Sequence, residues 1–410
     1  MKANTKLFSP LKIRSVTIPN RIVLSPLCMY SANDGVATEW QFAHLSTFAR
    51  GKTGLIFAEA TAVEARGRIT PGCLGIWTDE QAEALIPVTS FIEKMGCVPG
   101  MQLAHAGRKA GTKSPWNGGT PLDEEDIKAG NSPWDIIAPS DIPVAEGWVV
   151  PKAMDEKDIK EIVKAFSDAA KRAVKVGFKV IEIHSAHGYL MHSFLSPLAN
   201  KRNDSYGGDI HGRMRLLLEV VDAVRSVIPE DMPLFCRISA VDGIENGWEI
   251  EDSVILAEKL GDHGVDVIDC SGGGISGAPL FRVNKSGKPM KTNMDRGPGF
   301  QVPFADQVKK ESGMKTMAVG VIVDPHQAEQ VLQEDKADLI AIGRELMYNP
   351  FWALHAAQAL EADPEFEMWP EQYKWGVNRR GKLAEFKGVR DEAIDEKDTV
   401  SHLSDIYNKK

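Results

Sequence analysis

Short runs of apolar, β-branched residues recur along the chain at Arg21–Pro26, Leu55–Ala60, Val98–Ala104, Val180–His184, Leu234–Ser239, Val265–Cys270, Thr316–Gly320 and Leu339–Gly343. Each is nearly continuous in hydrophobicity, the pattern of a strand buried on both faces of a parallel sheet. Between them the apolar positions take a helical period over Glu39–Gly51, Asp79–Met95, Asp155–Val176, Arg213–Val227, Glu251–Leu260, Pro303–Glu311, Pro325–Leu332 and Pro350–Leu360. Thr78 stands where the second helix needs a cap, and Gly177 where the third must stop. Pro325 and Pro350 are placed as first helical residues after Asp324 and Asn349. Eight strands alternating with eight helices predict an α/β fold, a (β/α)8 TIM barrel rather than an open sheet.

Three stretches break the rhythm. Residues 7–20 are expected to form a short hairpin closing the bottom of the barrel, and residues 111–150, rich in Gly, Pro and Trp, a long insertion after the third strand. From residue 362 the chain is polar and charged. One barrel domain over residues 1–361 and a C-terminal extension over 362–410 are therefore expected.

Composition narrows the function classes. Hydrophobic residues make up 43% and charged residues 26%, ordinary globular usage that excludes a disordered, fibrous or membrane-embedded chain. Net charge is −9, which leaves no footprint for nucleic acid or an anionic membrane. The N-terminus lacks an apolar signal region, and the cytoplasm is the expected location. Cys28, Cys73, Cys97, Cys236 and Cys270 are scattered and contain no Cys-x-x-Cys, against a disulfide framework or zinc knuckle. Gly272–Gly277 matches G-x-G-x-x-G after a strand, but the residues beyond Gly277 cannot open a helix as a dinucleotide fingerprint requires. Gly51-Lys52-Thr53 fails as a phosphate loop because Ser46 stands where glycine is needed.

In such barrels the chemistry lies at the C-terminal ends of the strands. There the sequence supplies Ser25, Cys28 and Tyr30; Glu59 and Ala60; Gln102, His105, Arg108 and Lys109; His184, His187 and Tyr189; Arg237, Ser239 and Asp242; Gly320; and Gly343 with Arg344. Gly320, Gly343 and Arg344 suit a phosphate, with backbone N–H groups and a forked cation, or else two tight turns and a surface arginine. Residues three apart on a regular strand point to opposite faces, so His184 and His187 meet one ligand only if the strand ends near His184. The pair fits a substrate oxygen, a metal lacking an evident third ligand, or a structural role. Tyr189 carries a phenolic proton available at neutral pH, and a lone cysteine such as Cys28 is ordinarily a small hydrophobe.

Together these segments resemble the Old Yellow Enzyme family of FMN-dependent ene-reductases, most of all its thermophilic-like branch. The likeness is carried by Asn20–Tyr30, Gln102–Lys109, His184–Leu190, Ser196–Asn200 through Tyr206–Gly208, and Ile342–Arg344, in family order over roughly residues 7–358. It implies FMN across the barrel mouth, lined by Ser25, Pro26, Leu27, Cys28 and Ala60. Gln102 would meet the pyrimidine edge, Arg237 the N1 region, and Gly320, Gly343 and Arg344 the phosphate. It further implies that NAD(P)H reduces the flavin and leaves, and that small α,β-unsaturated substrates then enter the same pocket. His184 and His187 would bind the substrate oxygen, Tyr189 would protonate the α-carbon, Tyr30 would be a second substrate contact, and Cys28 would tune the flavin.

The chain departs from the family pattern in places. Asp209–Arg213 replaces a Ser-x-Glu-Asn-Arg run, and the 111–150 insertion is longer than in compact members. In this branch a residue near the C-terminus reaches a neighbouring subunit's site, for which Trp375 and Arg379 are candidates beside an ordinary surface or contact role; a homodimer or homotetramer is the corresponding expectation. Rival readings are a dienoyl-CoA reductase with an iron–sulfur cluster, a metal-dependent TIM-barrel hydrolase using His184 and His187, and an idle flavin binder. The first lacks four clustered thiolates, since no cysteine occurs beyond Cys270.

Overall fold

The computed structural model describes residues 4–275 and 297–382, with side chains to Val377. Eight parallel strands close into a barrel: β1 Ile22–Leu24, β2 Leu55–Ala62, β3 Val98–Ala104, β4 Val180–Ser185, β5 Leu234–Ser239, β6 Val267–Ser271, β7 Lys315–Ala318 and β8 Leu339–Ile342. Each strand pairs with its neighbour in sequence, and β8 returns to β1 through Ile340 opposite Ile22. The expected barrel is present, with strand ends displaced by one or two residues.

Alternation along the strands divides two cores. Val23, Leu55, Phe57, Val98, Val180, Phe235, Val267, Met317, Leu339 and Ala341 fill the lower barrel with Ile13 and Ile18. The last two come from the antiparallel hairpin Leu11–Ile13 and Val16–Ile18, which plugs the bottom as expected. Gly100 carries no side chain because Phe57 occupies that space; a Cβ there would lie 2.7 Å from the ring. Alternate residues, among them Ile56, Met101, Ile181 and Cys236, face the helices. Above the apolar floor the interior becomes polar, with Gln102, Glu182, His184, Arg237 and Asp269 all buried.

Some helices differ from the sequence expectation for local reasons. Asp79–Met95 divides into Asp79–Glu83 and Ile86–Lys94, because Pro87 has no N–H for the carbonyl four residues back but suits a first turn. The helix expected from Arg213 begins at Ile210, where Asp209 accepts the N–H of Gly212 at 2.9 Å. Pro325 opens its helix under Asp324 as expected, whereas Pro350 lies in a turn between Arg344–Tyr348 and Trp352–Ala359. Leu190–Leu195, beyond the end of β4, is an added helix of six residues, too short to register as a period. The 111–150 segment folds over the mouth with a short helix, Glu124–Lys128, and Ile137–Ala138 pairs with Lys152–Ala153.

Candidate active site

β4 carries His184 inward and ends at Ser185. The chain then turns through His187 at φ 59° and Gly188 at φ 74°. That left-handed turn brings His187 back to the side His184 faces. The imidazole centroids are 5.2 Å apart, and the Tyr189 ring lies 4.9 Å from His184. The three side chains expected to act on substrate therefore share one wall.

Hydrogen bonds orient them. His184 Nδ1 accepts the N–H of Ala186 at 3.1 Å, which leaves the ring proton on Nε2, free to donate. His187 Nε2 lies 2.7 Å from Ser271 Oγ on β6, and its backbone N–H donates to Ser239 Oγ on β5 at 2.9 Å. Behind the turn, Gly188 N–H donates to His192 Nδ1, whose Nε2 faces Asp242 at 2.8 Å. Burial, then the Arg237 guanidinium, holds His184 and His187 well below the usual histidine range, so both are neutral at pH 7. Burial pushes the phenols of Tyr189 and Tyr30 upward, keeping both protonated.

The other sequence-predicted residues gather around this wall. Arg237 donates from a terminal nitrogen to Ser25 Oγ at 2.9 Å, and its Nε is 3.2 Å from Asp269. Gln102 donates to Glu182 at 2.8 Å. Ala60 and Tyr189 line one small cavity. Tyr30, at φ 49°, meets Trp116 of the insertion edge-on at 5.8 Å. Pro26, Leu27 and Cys28 are half-buried, and burial pushes the Cys28 thiol well up, against a nucleophilic thiolate. Trp375 lies instead on the helix Glu371–Lys382, in a groove with Phe351, Trp369 and Tyr373. The side chain of Arg379 lies outside the described residues.

One participant carried no sequence signal. Ser271 is one serine among many until the barrel sets it against His187. Lys109 donates to the carbonyls of His187 and Gly274 and sits 5.9 Å from the centre of the Tyr189 ring. Burial, then Arg108, pushes it down to about 8. The glycines of the false fingerprint serve packing: a Cβ at Gly188 would meet the Gly274 carbonyl at 2.3 Å, and one at Gly274 would meet His187 Cα at 2.7 Å.

A family model described as "NADH:flavin oxidoreductase / NADH oxidase family" matches residues 6–363. An NADPH dehydrogenase of Geobacillus sp. (strain WCH70) is 45% identical over 358 residues, covering 87% of this chain and 95% of that protein. The chain belongs to this family, in its Old Yellow Enzyme branch. Old Yellow Enzyme from Pichia sp. AKU4542 superposes with a TM-score of 0.68 at 25% identity, over 87% of this chain and 88% of that one. A 2-naphthoyl-CoA reductase matches in fold at 21% identity and TM-score 0.74; the chain spans 52% of its length. The protein is an NAD(P)H-dependent flavin oxidoreductase with FMN as cofactor.

The residues present fit that cofactor. Gly320, at φ 122°, sits where a Cβ would lie 3.0 Å from Phe300, and a Cβ on Gly343 would approach Leu27 at 3.4 Å. Both strand ends are thus left bare beside Arg344, whose exposed guanidinium has no partner among the described residues. The hydrolase alternative is not favoured: His187 Nε2 faces Ser271, and the His184 Nδ1 lone pair is used by Ala186. Among the described residues no helix is long and apolar enough to cross a membrane.

Proposed function

We propose that this enzyme reduces the C=C bond of small α,β-unsaturated carbonyl and nitro compounds, among them enones, enals, maleimides and nitroalkenes. The observation that carries this is the shared wall of His184, His187 and Tyr189, two neutral imidazoles beside a protonated phenol. FMN, when bound, supplies the hydride, which NAD(P)H provides in turn.

On this reading His184 donates its Nε2 proton to the substrate oxygen with His187 beside it, drawing electrons from the conjugated bond. Neutrality suits them: an imidazole donor polarises the oxygen without transferring a full proton. Tyr189 gives its proton to the α-carbon as charge gathers there. Tyr30 is the second substrate contact, and Cys28 adjusts the cofactor's environment as a half-buried, protonated thiol. Ser25, Pro26, Leu27, Ala60 and Gln102 hold the ring system. Arg237 stands where negative charge develops, and Gly320, Gly343 and Arg344 grip the phosphate.

Five cysteines without a disulfide and a nicotinamide reductant fit the cytoplasm. Trp375, exposed on the helix beyond the barrel, supports a role for the extension in contacting a second copy, in a homodimer or homotetramer.

The test separates the two half-reactions by stopped flow. Tyr189→Phe is expected to slow reoxidation by 2-cyclohexenone by about 10²–10³-fold, within the range for a lost proton donor, and to leave reduction by NADPH nearly unchanged. Equal loss in both halves would remove Tyr189 from the proton-donor role.

A further inference from the structure

β2 carries one residue more than its pairing uses. Leu55 and Phe57 stand opposite Val98 and Gly100, then the register slips so that Ala58 faces Met101 and Ala60 faces Gln102. Glu59 is the residue left over, the extra member of a β-bulge. Without the slip the alternation of Leu55 and Phe57 would send Glu59 into the barrel. With it, small Ala60 takes the inward place beside Gln102.

Glu59 is 4% exposed, and its carboxylate faces the loop after β1. One oxygen accepts the N–H of Met29 at 3.2 Å, and the N–H groups of Leu74 and Tyr30 also act on the carboxylate. The other oxygen lies 3.5 Å from Gln41 Nε2. Gln41 in turn accepts the N–H of Thr38 at 2.8 Å, and Thr38 Oγ1 lies 2.9 Å from the Ser31 carbonyl, which it can reach as donor. The segment from Cys28 to Ser31 is thereby held at both ends. Between them Tyr30 keeps a left-handed backbone, which is strained for a non-glycine residue and persists only where neighbours impose it.

We propose that Glu59 is a positioning residue: its carboxylate clamps the Cys28–Ser31 loop in the strained shape that presents Tyr30 to substrate and Cys28 to the cofactor, and its charge sets how tightly. This rests on the function proposed above and extends it to how the pocket responds to pH. Burial pushes Glu59 up to about 7. The ionisable groups facing it are Cys28 and Tyr30 from the loop it clamps and Cys73 from the loop after β2, all kept protonated by burial. Above neutrality the carboxylate is ionised and its bonds to backbone N–H groups are charge-assisted, so the clamp tightens as pH rises. Lys109 also titrates in the pocket, so wild type must be compared with a variant.

The experiment titrates FMN-loaded enzyme with 2-cyclohexenone, which has no titratable proton near neutrality, and monitors the flavin absorbance across a pH series. Wild type is expected to bind about fivefold more tightly above the Glu59 transition than below it. Glu59→Gln keeps size and an acceptor oxygen but not the charge; it should lose that step while retaining FMN, and should let iodoacetamide alkylate Cys28 faster at alkaline pH. An unchanged step in Glu59→Gln overturns the proposal. Should that variant not fold, wild-type infrared difference spectra decide: a protonated carboxyl band must vanish as pH rises through neutrality, and its absence overturns the clamp. If cyclohexenone leaves the wild-type flavin spectrum unchanged at every pH, the substrate class proposed above fails instead, while alkylation and infrared still report on Glu59.

Discussion

At the scale of the residue, the site is built from side chains held out of their ordinary states. His187 and Tyr30 keep left-handed backbone, and His184 and His187 remain neutral in a closed, partly cationic pocket. The neutrality has a consequence for stability. An unfolded histidine takes up a proton as pH falls below about 6.5, whereas the folded one resists, so the native state loses stability as pH drops through that region. His184→Gln removes one such group. The loss of thermal stability of the variant on acidification below 6.5 is expected to be shallower than that of wild type; parallel thermal melts across the pH series would show His184 charged in the folded protein and refute this. The imidazoles and the phenol were legible in the sequence because few residue types do proton chemistry and these three fall together at one strand end. Ser271 was not legible, and Lys109 was legible only as a cation at a strand end, because each acts on a partner that the fold brings from another strand.

At the scale of the element, function depends on two loops that meet backbone to backbone at a pair of glycines. The turn after β4 lies on the loop after β6, at Gly188 and Gly274. Gly188→Ala adds a Cβ 2.3 Å from a carbonyl on a backbone at φ 74°, so the turn must shift. Because the residues proposed to hold FMN lie on other strands, we expect FMN content to be kept and the proposed reduction of cyclohexenone to fall at least about tenfold, the effect of misplacing reacting groups by a fraction of an ångström to an ångström. Full activity in a variant of native FMN content would mean that the turn is not packed as described. After β7, Gly320 is succeeded by Val321 at φ 53°, a β-branched residue in a left-handed backbone with 40% of its surface exposed. Val321→Gly removes that strain with little lost packing and is expected to stabilise by roughly 1 kcal/mol, read as a higher denaturant midpoint at constant slope. Sequence pattern located these loops but not their backbone: the short strand ends and the bulge at Glu59 leave hydrophobic alternation almost unchanged while reversing which residue faces inward.

At the scale of the whole molecule, the barrel joins residues distant in the chain: Arg237 meets Ser25 across 212 positions, and β8 closes on β1. Beyond it the helix Glu371–Lys382 leaves Trp375 68% exposed. If that surface contacts a second copy, Trp375→Glu should shift sedimentation to a smaller species while leaving the flavin spectrum native, and an unchanged sedimentation profile would remove Trp375 from the contact. The barrel was legible from the chain alone, because eight buried strands alternating with eight helices meet their hydrophobic demand in a closed parallel sheet. So was the chemical inventory at the strand ends, since those side chains have few other uses there. Which of them touch was settled by the folded arrangement. The twist of His187, the slip that turns Glu59 away from the barrel, and the serines and lysine that set each ring depend on contacts between strands. Hydrophobic periodicity records whether a position is buried and does not say what lies on the other side.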